Sequence, residues 1–340
     1  MRVLFVSRST IGLSKGGLQW QIRMTAEGLE SKGVKVVYFN PWKNQLKGVD
    51  ICHCWGIDPQ MIYFVRQAKR YNIPVVISPV FMRFSEPTWL VALEYKLGRY
   101  IRGLFTPQGI IYQIFESCDK VIALNSEERS ALERVFKLSR EKTVIIPNGI
   151  EKKFANGDPR IFEERYGIRN FVLQVGYIER RKNLLTTIRA IRGLPYNLVV
   201  IGGWEMREEE YVLQCKKEAG DNVLFIGHID HDDPLLASAY AAAKVFVLPS
   251  INEVMPLVVY EAAQAGCQIV LSNTFPCSKV IRDYVFFASP SKPSDLRRQI
   301  IRAMESPRNE QLKRKALEMP TWQEIADLIL DVYKLLIKAL

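Results

Sequence analysis

No stretch of this sequence approaches the roughly 18–20 consecutive apolar residues that a membrane-spanning helix requires, although 48% of its 340 residues are hydrophobic. The first apolar run, VLFV after Arg2, is too short for the core of a signal peptide and soon meets Arg8, so it reads as a buried N-terminal strand. Cysteine is sparse and scattered (52, 54, 118, 215, 267 and 277), without the spacing of a disulfide framework; this points to a reducing, cytoplasmic setting. A G-x-G-x-x-G fingerprint is missing, which weighs against a nicotinamide-dependent oxidoreductase, and no GK[ST] completes a P-loop. RNP, KH and zinc-finger patterns are missing too, so nucleic acid is not expected as a partner. No internal period of 20–50 residues suggests a solenoid. Charged residues at 24% are too few for wholesale disorder.

What is present is an uneven charge. The net balance is +11, and residues 1–150 hold 21 Lys and Arg against 12 Asp and Glu. Residues 151–340 hold 26 against 24, so the excess belongs to the first half. Such asymmetry suits either an anionic partner surface or an ordinary solvated basic face.

Short apolar strands alternate with helices twice over. RVLFVS (2–7), VKVVYFN (34–40), VDICHCW (49–55), IPVVISP (73–79), KVIAL (120–124) and TVII (143–146) make one series. FVLQVG (171–176), LVVIGG (198–203), NVLFIG (222–227), KVFVLPS (244–250) and QIVLSN (268–273) make another. Helical patterns from Leu18 to Lys32, around Met61, Phe64, Val65 and Ala68, and in LLTTIRAIRGL lie between them. This is the pattern of an α/β chain with two doubly wound parallel sheets, separated at the turn-rich PNGIEKKFANGDP (147–159). The closing TWQEIADLILDVYKLLIKAL is amphipathic, with Trp322, Ile325, Ile329, Val332 and Leu336 on one face. In such sheets ligands sit beyond the carboxyl ends of strands, near helix N-termini.

Three loops fall at such places. GLSKGG (12–17, with Lys15) follows the first strand, and its glycines permit either a tight turn or a close approach to phosphate. GYIERRKN (176–183) sets Arg180, Arg181 and Lys182 side by side, suited to a diphosphate or to solvent. SINEVMPLVVYE (250–261) places Glu253 before a helix and Glu261 inside it, with Pro256 expected in the first turn. Eight residues of full helix span roughly 12 Å, too far for two carboxylates to share a proton. Each instead suits a different hydroxyl-bearing part of one elongated ligand.

These loops also carry a family resemblance. Glu253 and Glu261 with seven residues between them, then AAQAGCQIVLS, together with GYIERRKN, IIPNGI (145–150), CDKVIALNSEE (118–128), the KGG of the first loop and the closing Trp-containing helix, resemble family 4 glycosyltransferases of the GT-B fold nearly end to end. The resemblance implies two Rossmann-like domains facing across a cleft, with a last helix crossing back. Residues 1–148 would bind acceptor, 149–320 would bind donor, and 321–340 would pack on the first domain. It implies a retaining hexosyl- or related transferase that moves sugar from a nucleotide-sugar donor to a glycan, lipid-linked or other acceptor. No metal or other cofactor is expected. Glu253 would hold sugar hydroxyls with backbone amides around Met255 and Leu257, and Glu261 would hold the ribose. Lys182, with Arg181 or Arg180, would neutralise the diphosphate, which Gly16 or Gly17 would approach from the other domain. Backbone near His228 and Ile229 would border the base.

The sequence departs from the family twice. Tyr177 stands where an arginine usually follows the loop glycine, and SPVFMRF lacks the histidine that many members carry after the strand equivalent to IPVVIS. That second gap leaves a non-catalytic descendant as the alternative. Two apparent metal motifs read more simply: Cys52, His53 and Cys54 alternate along a strand, and DHDD (230–233) precedes a helix that acids would start. Residues 83–116 mix Phe84, Trp89, Tyr95, Tyr100, Phe105 and Phe115 with Arg83, Lys96, Arg99 and Arg102. That mixture fits either a peripheral contact with an anionic membrane at its inner face or a core helix with a basic side.

Overall fold

The computed structural model describes residues 1–13, 16–40, 42–43, 46–82, 88–100, 107–274 and 278–338. Of the residues singled out above, Lys15, Arg83, Phe84, Arg102, Phe105 and Cys277 lie outside these, as do the side chains of Arg99 and Tyr100. The chain divides into two units, Met1–Gly149 with Pro320–Leu340, and Ile150–Met319.

In the first unit the strands are β1 (Arg2–Ser7), β2 (Lys35–Tyr38), β3 (Ile51–Trp55), β4 (Val75–Ser78), β5 (Lys120–Ala123) and β6 (Thr143–Ile145). The helices are α1 (Gly17–Glu30), α2 (Met61–Arg70), α3 (Thr88–Tyr100), α4 (Pro107–Ser117) and α5 (Ser126–Phe136). The strands pair in parallel in the order β2-β1-β3-β4-β5-β6. The sheet reads as near-continuous apolar runs because both of its faces are covered. Leu4, Val6, Cys52, Cys54, Val75 and Ile77 face one core, which also takes in residues of α2, α4 and α5. Val3, Phe5, Ile51, Trp55 and Val76 face the other. Alternate side chains of a strand point to opposite faces, and each residue falls where that rule puts it. Tyr95 and Phe115 belong to the first core, so of the two readings offered for the aromatic and basic mixture over 83–116 these two rings follow the core one. Their helices needed apolar anchors, and these two rings supply them.

In the second unit the strands are β7 (Val172–Val175), β8 (Leu198–Ile201), β9 (Val223–Gly227), β10 (Val245–Leu248), β11 (Gln268–Ser272) and β12 (Phe286–Ala288). The helices are α6 (Pro159–Tyr166), α7 (Leu184–Ile191), α8 (Glu209–Glu218), α9 (Pro234–Ala242), α10 (Leu257–Gln264), α11 (Lys279–Arg282), α12 (Pro293–Glu305) and α13 (Glu310–Leu317). The sheet is parallel, in the order β12-β11-β10-β7-β8-β9. Strand β12 was not foreseen: FFA pairs with β11 over three residues, too few to show a period.

The remaining helix, α14 (Trp322–Lys338), belongs to the first unit. Its Ile325, Ala326, Ile329, Val332 and Tyr333 complete the core that also holds Ile22, Ala26 and Leu29 of α1. A Cβ on Gly28 would lie 2.9 Å from the Ala326 Cβ, and one on Gly149 would lie 2.5 Å from the Trp322 backbone. Both glycines are therefore required for α14 to seat. Among the described residues no helix is long and apolar enough to cross a membrane.

Candidate active site

The strand order of the second unit places its topological switch between β7 and β10, whose following connections run in opposite directions. A crevice opens at such a point beyond the carboxyl ends of the strands. Arg180–Lys182, a single 3-10 turn, follows β7, and Ser250 to Pro256 follow β10. The two loops are bound to each other. The Ile251 N–H donates to the Arg181 carbonyl at 2.9 Å. Asn183, in the left-handed region at φ 59°, donates through Nδ2 to the carbonyls of Pro249 and Pro290 at 3.1 and 2.7 Å. Gln174 donates to the Lys182 carbonyl at 3.2 Å and accepts from Thr187 at 2.7 Å. At Gly202, after β8, a Cβ would stand 1.9 Å from the Gly176 carbonyl oxygen, so only glycine lets these strand ends close up.

Glu253 sits where the loops meet, and its carboxylate is buried. Its Oε1 takes three contacts: Lys182 Nζ at 2.5 Å, an Arg181 guanidinium nitrogen at 2.9 Å and Ser250 Oγ at 3.0 Å. Burial opposes its charge, but Lys182 and Arg181 outweigh burial and hold the carboxyl below the usual glutamate range. Arg181 also donates to the Asn252 carbonyl at 2.8 Å and pairs with Glu179 at 2.5 Å. Burial opposes its charge as well, and Glu253 and Glu179 together raise its pKa above the usual value. Arg180 turns elsewhere: it is exposed, lies over the Tyr211 ring at 5.3 Å and approaches Glu210 at 3.9 Å. The run of three cations therefore delivers two to Glu253, because a 3-10 turn fans successive side chains about 120° apart.

Glu261 lies in the fifth position of α10, and its carboxylate is also buried. Pro256 stands one residue outside the helix and not in its first turn; lacking an N–H, it costs nothing in either place. Glu261 Oε2 accepts from the Tyr240 hydroxyl at 2.7 Å, and Oε1 meets His231 Nε2 at 2.9 Å. Burial and the neighbouring carboxylate push the Tyr240 hydroxyl well above its usual pKa, so it stays a donor. His231 Nδ1 meets Lys153 Nζ at 3.0 Å. A carboxylate accepts and an ammonium donates, which places a proton on His231 Nε2. Lys153 also reaches Asp232 at 2.7 Å and Glu151 at 3.3 Å. Glu151, His231 and Asp232 converge within 4.8 Å of one another, as metal ligands would. The Lys153 ammonium lies among them and supplies the positive charge. Asp233 caps α9 by accepting the Leu235 N–H at 2.9 Å, the helix-starting role its position suggested.

The other residues singled out lie as follows. His228 is exposed, with Nε2 3.1 Å from Asp230; Ile229, Met255 and Leu257 are half-buried against the core of this unit. In the first unit, Gly16 precedes α1 and Gly17 opens it, and a methyl on either would meet nothing within 4 Å among the described residues. Cys52, His53 and Cys54 are all buried, and His53 binds Tyr333 and Ser78, which rules it out as a residue facing a ligand. After β4, where the family histidine is missing, Val80 adopts φ 50°, a rare conformation for a β-branched residue. The next N–H, that of Phe81, donates to buried Glu128 at 2.6 Å, whose other oxygen accepts from Leu124 at 2.6 Å.

Sequence reasoning missed Ser250, Tyr240, His231, Glu151 and Lys153 as members of this cluster. The one available signal was Tyr240 in the alanine-rich α9, a polar tip in an apolar helix that demands a buried acceptor.

Two family models match the chain: one described as Glycosyl transferases group 1 over residues 160–319, the other as Glycosyltransferase Family 4 over residues 40–154. The chain belongs to glycosyltransferase family 4. Proteins similar to this chain include the O-antigen chain mannosyltransferase B of Escherichia coli, 24% identical over 77% of this chain and 68% of that protein. Another is the GalNAc-alpha-(1->4)-GalNAc-alpha-(1->3)-diNAcBac-PP-undecaprenol alpha-1,4-N-acetyl-D-galactosaminyltransferase of Campylobacter jejuni, 27% identical over 65% of this chain and 58% of that protein. Among solved structures, sucrose-phosphate synthase from Thermosynechococcus elongatus superposes with a TM-score of 0.80 at 20% identity, covering 100% of both chains. Anabaena HepE, in complex with UDP and glucose, gives 0.76 at 14% identity, covering 98% of this chain and 99% of that one. These likenesses establish the GT-B type of fold, two Rossmann-like units with parallel sheets.

Proposed function

We propose that this chain is a retaining, metal-independent glycosyltransferase that transfers a hexosyl or related group from a nucleotide-sugar donor to a glycan or lipid-linked acceptor. The observation that carries the proposal is the placement of Arg181 and Lys182 on Glu253 Oε1, in the loops that follow the two strands at the switch point. Lys182 and Arg181 have N–H donors beyond those aimed at Glu253, and these suit the oxygens of a diphosphate. Glu253 Oε2 is the oxygen we assign to hydroxyls of the transferred sugar. The carboxylate of Glu261 has about four lone-pair sites; His231 and Tyr240 use one on each oxygen, which leaves a pair for a ribose diol. Negative charge growing on the leaving phosphate would be met by fixed cations, and sugar would pass to acceptor on the face the nucleotide leaves. Lys182 and Arg181 do the work a divalent ion would otherwise do, and that supports independence from metal. The Anabaena structure holds UDP, and the Campylobacter relative's name gives an undecaprenol-linked acceptor. A lipid-linked acceptor and the basic first half support a cytoplasmic enzyme working against an anionic membrane surface.

A thermal-shift screen of UDP-, GDP- and ADP-sugars tests the donor site. One nucleotide series should stabilise the protein, and Glu261→Ala should abolish that shift. NMR of the product should show the donor's anomeric configuration retained, and EDTA should leave the rate unchanged. Inversion, or a loss of rate restored by manganese, would overturn the corresponding part of the proposal.

A further inference from the structure

Helix α3 is apolar on both sides. Val91 and Tyr95 are buried in the first unit's core, as an amphipathic helix requires. Trp89, Leu90, Leu93 and Leu97 are between 44% and 67% exposed. At 100° per residue these four fall within an arc of about 100°, opposite Val91 and Tyr95. A helix whose second face met only water would carry polar groups there, so four large apolar side chains on one arc mark a contact surface.

Charge identifies the partner. Exposed Lys96 borders one edge of the arc, and half-buried Glu94, which accepts from Gln108 at 2.8 Å, lies near the other. Over residues 83–102 the sequence has four Lys and Arg against two Glu. The whole stretch 1–150 carries +9. Two copies meeting through α3 would bring like charges together. An anionic bilayer takes both features: apolar side chains enter the boundary between headgroups and acyl chains, tryptophan favours that depth, and cations stay among the headgroups. We propose that α3 is the docking element for an anionic lipid surface, inserting Trp89, Leu90, Leu93 and Leu97. The proposal rests on the membrane-side reading above for its class of partner, and names the element that makes the contact.

Flotation of the full chain with phosphatidylglycerol-containing vesicles, against pure phosphatidylcholine, tests it without turnover. Wild type should float with the anionic vesicles at low salt. The double variant Leu93→Ser, Leu97→Ser, which leaves charge unchanged, should lower the bound fraction at least tenfold with an unaltered melting temperature; Trp89→Ser should act in the same direction. Equal flotation of wild type and variants would show charge acting alone and overturn the role of α3. A wild-type dimer that the double variant dissociates would also overturn it, assigning the strip to self-association. Donor-induced thermal shifts should be the same in all these proteins. Vesicle binding without any donor shift would overturn the enzymatic reading and leave this one standing.

Discussion

His53 Nδ1 lies 2.5 Å from the Tyr333 hydroxyl, although the two residues are 280 positions apart. The other ring nitrogen, Nε2, lies 2.8 Å from Ser78 Oγ, and the ring stacks on Trp55 with centroids 4.1 Å apart. One imidazole thus joins β3, β4 and α14 at a site closed to water. Removing a single partner leaves a buried polar atom unsatisfied, which costs about 1–3 kcal/mol. Tyr333→Phe should destabilise the first unit by that amount in urea unfolding, while Leu335→Ser, at an exposed position of the same helix, should change little.

Two buried groups of this unit should oppose each other in pH. Burial lowers His53 to about 3, so the folded state holds fewer protons than the unfolded between that value and 6.5. That contribution is complete above pH 6.5 and is lost as pH falls towards 3. Burial raises Glu128 to about 7, despite the N–H groups of Leu124 and Phe81. Its contribution is complete below pH 4.5 and is lost as pH rises through 7. Between pH 4.5 and 6.5 the two slopes cancel, and stability there should be nearly flat. Glu128→Gln should unmask a rise of stability with pH over that window, on the order of 1.4 kcal/mol per pH unit. A variant as flat as wild type would refute the pairing.

The basic loop should divide in function as it does in space. Lys182→Met should lower kcat by about 100-fold or more, the loss typical of a charge-stabilising group at a leaving group. Arg180→Met, whose side chain turns to Tyr211, should lower it less than about threefold, within the effect of an exposed charge. Steady-state kinetics of the two variants on one donor decides the matter; equal losses would return Arg180 to the site.

His231 should act through Glu261. Its Nε2–H fixes one carboxylate oxygen, so His231→Ala should raise the donor KM by about tenfold, worth roughly one buried hydrogen bond to a charged group. His231→Gln, which keeps a donor near Oε1, should restore much of that loss, with kcat little changed in both. A fall in kcat alone, not rescued by glutamine, would remove His231 from this role.

The strands were legible because those buried on both faces are mostly apolar, with single interruptions such as His53 in β3 and Gln174 in β7, and β12 was not because three residues carry no pattern. Glu253 and Glu261 stood out by spacing, and their loops by position after apolar runs. What could not be seen was which hydrogen-bonding groups meet them. His231 reaches Glu261 from the loop before α9, and Lys153 comes from a turn 78 residues from His231. Such partners are set by helix packing, which has no short-range signature. The exposed arc of α3 was hidden differently: its aromatic and basic residues were visible, but only burial separated Tyr95 from Trp89.

The seating of α14 also fixes an order of events during synthesis. Residues 1–149 leave the ribosome with one face of their sheet, from Val3 to Trp55, still lacking Ile325, Ile329 and Tyr333. All of residues 150–319 must be made first, which at common translation rates takes roughly 10–30 s. For that interval the nascent first unit carries bare apolar surface, a target for chaperones, while the second unit can already close. The half that begins first is completed last.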